Sequence, residues 1–242
     1  MVNQKVPAGW SGQKAPAAAA STNADISDFL AKAQSLPPRT DGARGRLVFA
    51  MDATMSRQPT WDRALSIQGQ MFEETARLGG LDVQLVYFRG LGECKASRFV
   101  SDHQGLARLM SGIACRGGHT QIGKVLSHIK AEGERARVNA AVYVGDCMEE
   151  NVDDLCARAG EIALLAIPVF MFQDGHEPIA ERSFREIARI TKGAYCRFDL
   201  DAAGQLKALL AAVAVYAAGG KAALADHSRG GGASALLLEQ LS

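Results

Sequence analysis

Apolar segments of strand length alternate with segments of helical spacing through most of this chain, from about Arg46 to about Tyr216. Leu47–Met51 and Ala140–Val144 are apolar at almost every position, which is typical of strands buried on both faces. A strand followed by a helix and then by another strand usually forms a crossover between parallel strands. The alternation therefore predicts an α/β fold, in which a mostly parallel central sheet carries helices on both faces.

The same patterns place the individual elements. Six strands are predicted, one of them a short antiparallel edge strand after the turn RGLGE: Leu47–Met51, Leu81–Phe88, Cys94–Val100 (the edge strand), Ala140–Val144, Ala166–Phe172 and Ala194–Phe198. Six helices are predicted in the same region: Trp61–Leu78, Gln104–Met110, Ile122–Lys130, Val152–Ile162, Glu177–Thr191 and Ala202–Tyr216.

Composition divides the chain into a globular domain and two tails. Residues 1–44 are rich in Ala, Pro, Gly and Ser near the start and predict a flexible segment, with one short helix near 26–36. Residues 45–217 form the predicted domain. Residues 218–242 contain Gly-rich spacing before a final apolar ALLLEQL, so they predict a flexible tail with a possible short helix.

Charge and cysteine content exclude several classes of protein. The formal net charge is +1 with no long block of one sign, which argues against nucleic acid or an anionic membrane as the main partner. The five cysteines are scattered and contain no C-x-x-C pair, so reduced thiols are expected rather than a disulfide framework or a zinc knuckle. No segment resembles a signal peptide or a bilayer span, which leads us to expect a soluble, cytoplasmic protein.

Oxygen-bearing side chains follow two of the predicted strands and precede one predicted helix. Asp52, Thr54 and Ser56 come directly after the first strand, and Asp146 follows the strand Ala140–Val144. Thr120 lies in the Gly-flanked loop RGGHTQIG before a helix. Ligands of open α/β sheets bind beyond the carboxyl ends of the strands, so these residues are expected at one edge of the sheet.

This set resembles the von Willebrand factor A domain and its metal-ion-dependent adhesion site, whose motif is D-x-S/T-x-S followed by a distant Thr and a distant Asp. The later segment IPVFMFQDG…FREIARITKGAYCRF also looks like the fifth strand, fifth helix and final strand of that family. The resemblance covers about residues 45–217 and implies a Rossmann-like domain of the von Willebrand A type.

The resemblance also implies roles for the five residues. Ser56, Thr54 and Thr120 would contact a metal ion through their hydroxyls, and Asp52 and Asp146 would act directly or through water. The family more often has Ser where Thr54 stands. An open coordination position would take an Asp or Glu side chain from a partner protein. Mg²⁺, or Mn²⁺ in its place, suits such a site because a hard cation prefers oxygen ligands.

Each residue also has a simpler interpretation. Ser56, Thr54 and Thr120 could cap the helices that follow them. Asp146 could be a first-turn acid, and Glu149 and Glu150 could begin the next helix, where the helix dipole favours acids. The joint occurrence of all three parts of the motif favours the metal site. His119 and Glu149 are then candidates for the rim that meets the partner: His119 could otherwise be a solvent-facing loop residue.

Other functions fit the residues less well. Gly118–Lys124 satisfies G-x-x-x-x-G-K, but Val125 stands where a P-loop needs Ser or Thr. Asp52 could be a phosphoaspartyl nucleophile, but Thr54 replaces the second acid of such enzymes. The resemblance to the von Willebrand factor A family therefore leads us to expect a non-catalytic, metal-dependent interaction module, an adaptor in a cytoplasmic assembly. The alternatives are a metal-assisted hydrolase or phosphotransferase that uses Asp52 and Asp146, and a structural protein whose site is empty.

Overall fold

A computed structural model describes residues 44–76, 80–198 and 203–229. The described residues form one six-stranded sheet in the order β3-β2-β1-β4-β5-β6. Its strands are β1 (Gly45–Asp52), β2 (Leu81–Arg89), β3 (Glu93–Val100), β4 (Ala140–Gly145), β5 (Val169–Asp174) and β6 (Tyr195–Phe198). All neighbouring strands are parallel except β2 and β3, which pair antiparallel at one edge. This confirms the predicted mixed sheet with one antiparallel edge strand.

Seven helices and one short 3-10 turn at Met55–Arg57 accompany the sheet in the described part of the chain. The helices are α1 (Gln58–Ile67), α2 (Gly69–Thr75), α3 (His103–Ser111), α4 (Ile122–Arg135), α5 (Val152–Leu164), α6 (Pro178–Ile190) and α7 (Ala203–Arg229). One apolar core contains side chains of α1, α2, α3 and α7, and a second contains those of α4, α5 and α6. The two cores cover opposite faces of the sheet.

Strand β1 shows why the sheet needs both layers. Leu47, Phe49 and Met51 lie in the core formed with α7, while Val48 and Ala50 lie in the core formed with α4. Successive side chains of a strand point to opposite faces, so a strand that is apolar at every position must be covered on both. Asp52 ends this run and is 1% exposed.

The first predicted helix and the fifth predicted strand have different bounds in the structure. The helix predicted over Trp61–Leu78 is two helices that meet at Gln68 and Gly69, where glycine lowers the stability of a continuous helix. The strand predicted from Ala166 begins at Val169, because Ala166 has a left-handed φ of 53° and belongs to the preceding turn. Residues 77–79 lie outside the described residues.

The last helix is longer than predicted and is interrupted at Gly220. It continues to Arg229, and Gly220 adopts φ 71°, a left-handed conformation that glycine tolerates. None of the helices that the structure describes has the length and apolar character to cross a bilayer. The predicted short helices near 26–36 and in the last residues of the chain lie outside the described residues, as do residues 1–43 and 230–242.

Candidate functional site

Three neighbouring parallel strands end in acidic residues at the same edge of the sheet. Asp52 is the last residue of β1, Asp146 directly follows β4, and Asp174 is the last residue of β5. Because β1, β4 and β5 are adjacent and parallel, their carboxyl ends meet at one edge. The sheet order thus gathers carboxylates that lie far apart in the sequence.

Hydrogen bonds connect four of the five predicted metal ligands. The backbone N–H of Thr54 donates to Asp52 Oδ1 at 2.7 Å, which folds the loop back over the end of β1. The hydroxyl oxygens of Thr54 and Ser56 are 3.3 Å apart. Ser56 Oγ donates to Asp146 Oδ2 at 3.3 Å and so joins the loop after β1 to the loop after β4. The alternate positions of the motif therefore bring their oxygens to one place.

The carboxyl group of Asp52 is held in an unfavourable environment for its charge. Burial raises the pKa of Asp52 to about 6, an effect that the hydrogen bonds with Thr54 oppose and the negative charge of Asp146 increases. Asp52 Oδ2 and Asp146 Oδ1 are buried and have no hydrogen-bond partner among the described residues. Buried carboxylate oxygens normally have a hydrogen-bond donor or a cation beside them. This pair of oxygens is the feature that fits a metal ion.

Thr120 is hydrogen-bonded to Glu149, in the loop that carries Asp146, and not directly to the other four candidate ligands in the hydrogen bonds of the described residues. The backbone N–H of Thr120 donates to Glu149 Oε2 at 3.0 Å, and the backbone N–H of Glu149 donates to Thr120 Oγ1, also at 3.0 Å. His119 Nδ1 lies 3.1 Å from the same Glu149 oxygen. The backbone N–H of Thr120, followed by His119, lowers the pKa of Glu149. The two predicted rim residues are therefore partners of each other.

The interpretation of Glu149 and Glu150 as the start of the next helix was wrong. Helix α5 begins at Val152, and Asn151 caps it by accepting the backbone N–H groups of Asp153 and Asp154. The Glu150 carboxylate instead accepts the backbone N–H groups of Ile122 and Gly123, the latter at 2.9 Å. It caps a different helix, α4, whose amino-terminal dipole also favours an acid.

The same contacts oppose a phosphate-binding role for Gly118–Lys124. A P-loop holds phosphate on the backbone N–H groups at a helix amino terminus, but Glu150 already occupies those of α4. Lys124 Nζ donates to the carbonyl oxygen of Gly92 and to Gln121 Oε1, both at 2.9 Å. Lys124, an exposed residue, thus links α4 to the β2–β3 hairpin.

Arg57 and Asp174 are site residues that the sequence analysis missed. Arg57 Nε lies 3.0 Å from Asp146 Oδ2, and Arg57 Nη1 lies 2.5 Å from Asp174 Oδ2. Thr60 Oγ1 also donates to Asp174. A signal was available, because Asp174 ends an apolar strand as Asp52 does, and Arg57 directly follows the last hydroxyl of the motif. Trp61, by contrast, is 1% exposed and packs in the core, with its indole N–H donating to the carbonyl oxygen of Met110.

The donor set decides which metal ions the group could hold. The described residues contain no cluster of three His, Cys, Asp or Glu side chains that could hold a metal by themselves. The candidate ligands are two carboxylates and three hydroxyls, which are hard oxygen donors with few charges. Such donors suit Mg²⁺ and Mn²⁺ better than soft-ligand metals. The residues present therefore fit the ion that the motif implies.

The sheet order and the antiparallel edge are those of a von Willebrand factor A-like fold. No protein-family model matches the sequence, and no curated protein matches it. Among solved structures, it is similar to an aerotolerance-related membrane protein from Bacteroides fragilis NCTC 9343, with 17% identity and a TM-score of 0.54. That similarity covers 69% of this chain and 96% of the other.

Two further structures share the fold. The VWA domain of SpRpn10 is 11% identical with a TM-score of 0.54, over 70% of this chain and 95% of that one. Proximal thread matrix protein 1 from the mussel byssus, with zinc in its MIDAS motif, is 13% identical with a TM-score of 0.58. That match covers 72% of this chain and 47% of the mussel protein. At these identities, the similarity establishes a shared fold.

Proposed function

We propose that this chain is a protein–protein interaction module that engages its partner through a divalent metal ion at the edge of the sheet. Asp52, Thr54, Ser56, Thr120 and Asp146 would hold Mg²⁺ or Mn²⁺ directly or through water. The ion supplies a Lewis-acidic position for an Asp or Glu side chain of the partner, because six-coordinate Mg²⁺ commonly keeps positions open to water or other ligands.

One observation carries the proposal. Asp52 Oδ2 and Asp146 Oδ1 come from separate loops, are buried, and find no partner within the described ranges of the chain. Both residues belong to one hydrogen-bonded group with Thr54 and Ser56. An ionised carboxylate oxygen without a donor or cation is costly to bury, so a cation shared by the two would remove that cost.

The residues around the site indicate what the partner surface should contain. Met55 is 62% exposed in the turn between Thr54 and Ser56, and Leu91 is 86% exposed at the tip of the β2–β3 hairpin. The neighbouring Gly90 accepts the backbone N–H of His119 through its carbonyl oxygen at 3.3 Å, which links that tip to the Thr120 loop. A partner with one acidic side chain flanked by apolar residues would match this rim.

We place the module in the cytoplasm, as an adaptor in an assembly without nucleic acid or membrane as its main ligand. Support for the compartment is chemical, because the five cysteines are free thiols, a state that reducing compartments maintain. Support for the adaptor role is the mixture of an open metal position and exposed apolar side chains at the same edge.

The first test is metal binding to the full chain, measured by isothermal titration with MnCl₂ and MgCl₂ after chelator treatment. We expect saturable binding of one ion and its loss in Asp52→Asn, which keeps an oxygen for the Thr54 N–H but removes the charge. Asp62→Asn makes the same chemical change at an exposed position of α1 and should bind normally. Equal binding by all three proteins would refute the site.

The second test separates an adaptor from a metal-assisted hydrolase or phosphotransferase that uses Asp52 and Asp146. The wild-type chain with saturating Mn²⁺ should not hydrolyse p-nitrophenyl phosphate or its diester above the Asp52→Asn background. Recovery of partner protein from a native extract should instead depend on Mn²⁺ and fail with EDTA. Turnover that disappears in Asp52→Asn would favour the enzyme.

A further inference from the structure

Arg57 is the only residue for which the structure gives a direct ion pair with Asp146 among the described residues. Its side chain is 14% exposed and lies between two carboxylates, with Nε 3.0 Å from Asp146 Oδ2 and Nη1 2.5 Å from Asp174 Oδ2. Arg57 Nε also lies 3.5 Å from Ser56 Oγ. A guanidinium group therefore touches two of the five predicted metal ligands.

Local structure holds this guanidinium in place. Arg57 ends the 3-10 turn, and its backbone N–H donates to the carbonyl oxygen of Thr54 at 3.0 Å. Thr60, in the first turn of α1, donates its hydroxyl to Asp174, and its Oγ1 lies 3.4 Å from Arg57 Nη1. The planar fork of arginine can contact both carboxylates at once, a geometry that the single ammonium of lysine does not reproduce.

The charges of this group are linked to any ion that binds there. A guanidinium and a divalent cation that share one carboxylate repel each other, and a partly buried site screens that repulsion less than bulk water does. Asp146 Oδ2 is occupied by Arg57 and Ser56, whereas Asp146 Oδ1 has no partner within the described residues. Arg57 would thus pair with Oδ2 of Asp146, and the metal ion would be held at Oδ1 of the same carboxylate.

We propose that Arg57 is a tethered cation that competes electrostatically with the divalent ion at Asp146 and so sets the metal affinity of the site. This inference rests on the proposed metal site. Arg57 stabilises the metal-free protein by pairing with Asp146, and it lowers affinity for the ion by the same interaction. Asp174 anchors the guanidinium, so that the arginine stays in place when the metal binds.

The alternative is that Arg57 only fixes the shape of the loop. A structural arginine would help to position Ser56 and Asp146, and its removal would weaken metal binding. A competing arginine predicts the opposite direction. The sign of the change in metal affinity therefore decides between the two roles.

The experiment compares wild type, Arg57→Gln, Arg57→Lys and Arg63→Gln. Arg63 is an exposed residue of α1, so Arg63→Gln makes the same change in net charge away from the site. Mn²⁺ affinity is measured by titration calorimetry on the full chain, and thermal melting is recorded in EDTA and in saturating Mn²⁺. We expect Arg57→Gln to bind Mn²⁺ at least about tenfold more tightly than wild type.

The melting temperature, measured in EDTA and in saturating Mn²⁺, is the second measurement. Arg57→Gln should melt below wild type in EDTA and gain more from Mn²⁺ than wild type does. Arg63→Gln should match wild type in both measurements. Arg57→Lys keeps the charge but not the fork that holds it on both carboxylates, so its Mn²⁺ affinity should lie between those of wild type and Arg57→Gln. This comparison remains available even if Arg57→Gln folds poorly without metal.

Each result bears on the inference and on the proposed function differently. Wild-type binding with equal or weaker binding by Arg57→Gln would overturn the role of Arg57 and leave the metal site standing. Binding by Arg57→Gln alone would support the role of Arg57 and refute metal use by the natural chain. If neither protein binds Mn²⁺, both ideas are wrong.

Discussion

Thr120 and Glu149 hydrogen-bond each other twice, with each backbone N–H donating to the other residue's side chain at 3.0 Å. This reciprocal pair joins the loop before α4 to the loop after β4, the two segments that carry the distant Thr and the distant Asp of the motif. The position of Thr120 relative to Asp146 therefore depends on a residue that belongs to neither part of the motif.

Glu149→Ala tests this link. The substitution removes the acceptor for the Thr120 N–H, and we expect a loss of about 1 kcal/mol of unfolding free energy, because the carboxylate is half-exposed. Mn²⁺ affinity should fall as well, since Thr120 loses one of its two anchors. Urea titration and calorimetry measure the two effects. Glu134→Ala, at an exposed position of α4, is the control and should leave Mn²⁺ affinity unchanged.

A pair of adjacent glycines tests how closely the β2–β3 hairpin packs on the Thr120 loop. A Cβ atom on Gly118 would lie 2.2 Å from the carbonyl oxygen of Gly90, whereas a Cβ atom on Gly117 would meet nothing within 4 Å. Gly118→Ala should therefore force the two loops apart and cost roughly 1–3 kcal/mol of stability. Gly117→Ala should melt like wild type.

The same pair distinguishes local packing from the metal site. Mn²⁺ affinity should drop in Gly118→Ala because Thr120 lies two residues away, and it should be retained in Gly117→Ala. If the two variants had equal melting temperatures and equal affinities, the close approach of Gly90 to the Thr120 loop would be incorrect.

Asp52 predicts a pH dependence of the chelator-treated protein. The pKa of Asp52 rises from its ordinary value of 3.8 to about 6 in the folded state, because the carboxyl group is buried. The folded state then holds the proton more tightly than the unfolded chain does. The contribution of Asp52 to stability is therefore fully present below about pH 4 and is lost as the pH rises through about 6.

The expected contribution of Asp52 to the unfolding free energy is about 3 kcal/mol, since a shift of one pKa unit corresponds to about 1.4 kcal/mol. Urea unfolding of wild type and Asp52→Asn in EDTA, from pH 4 to pH 7, measures the effect as the difference between the two proteins. Relative to Asp52→Asn, wild type should lose unfolding free energy as the pH rises from 4 to 7. A constant difference across that range would show that Asp52 titrates normally in the fold.

Leu85→Asp tests the central position of β2. Leu85 is 1% exposed and lies in the core that α7 covers, so an aspartate there would bury a charge without a partner. We expect loss of cooperative melting, or a destabilisation of more than about 4 kcal/mol. Arg98→Asp changes an exposed side chain on the edge strand β3 and should remain folded. A cooperatively melting Leu85→Asp protein would contradict this placement of β2.

Sequence periodicity was sufficient to predict the strands of the sheet and the helices that cover both of its faces. Segments such as Leu47–Met51 are apolar at every position, and only a strand covered on both faces buries such a run. The element boundaries were less predictable. Ala166 and Gly220 both adopt a left-handed φ, which is incompatible with a regular strand or helix at that position. A pattern of apolar residues does not predict such backbone dihedral angles.

The sequence by itself determined which residues carry oxygen at the ends of β1 and β4, because Asp52 ends one apolar strand, Ser56 lies in the turn after it, and Asp146 directly follows another. Only the tertiary structure decided what those oxygens face. Arg57, Asp174 and Glu150 reach the candidate site or its supporting loop across separations of roughly 30 to 120 residues. The partners of a long side chain depend on distance and charge in the folded protein, because the sheet brings distant segments together. Local sequence patterns therefore do not predict these pairs.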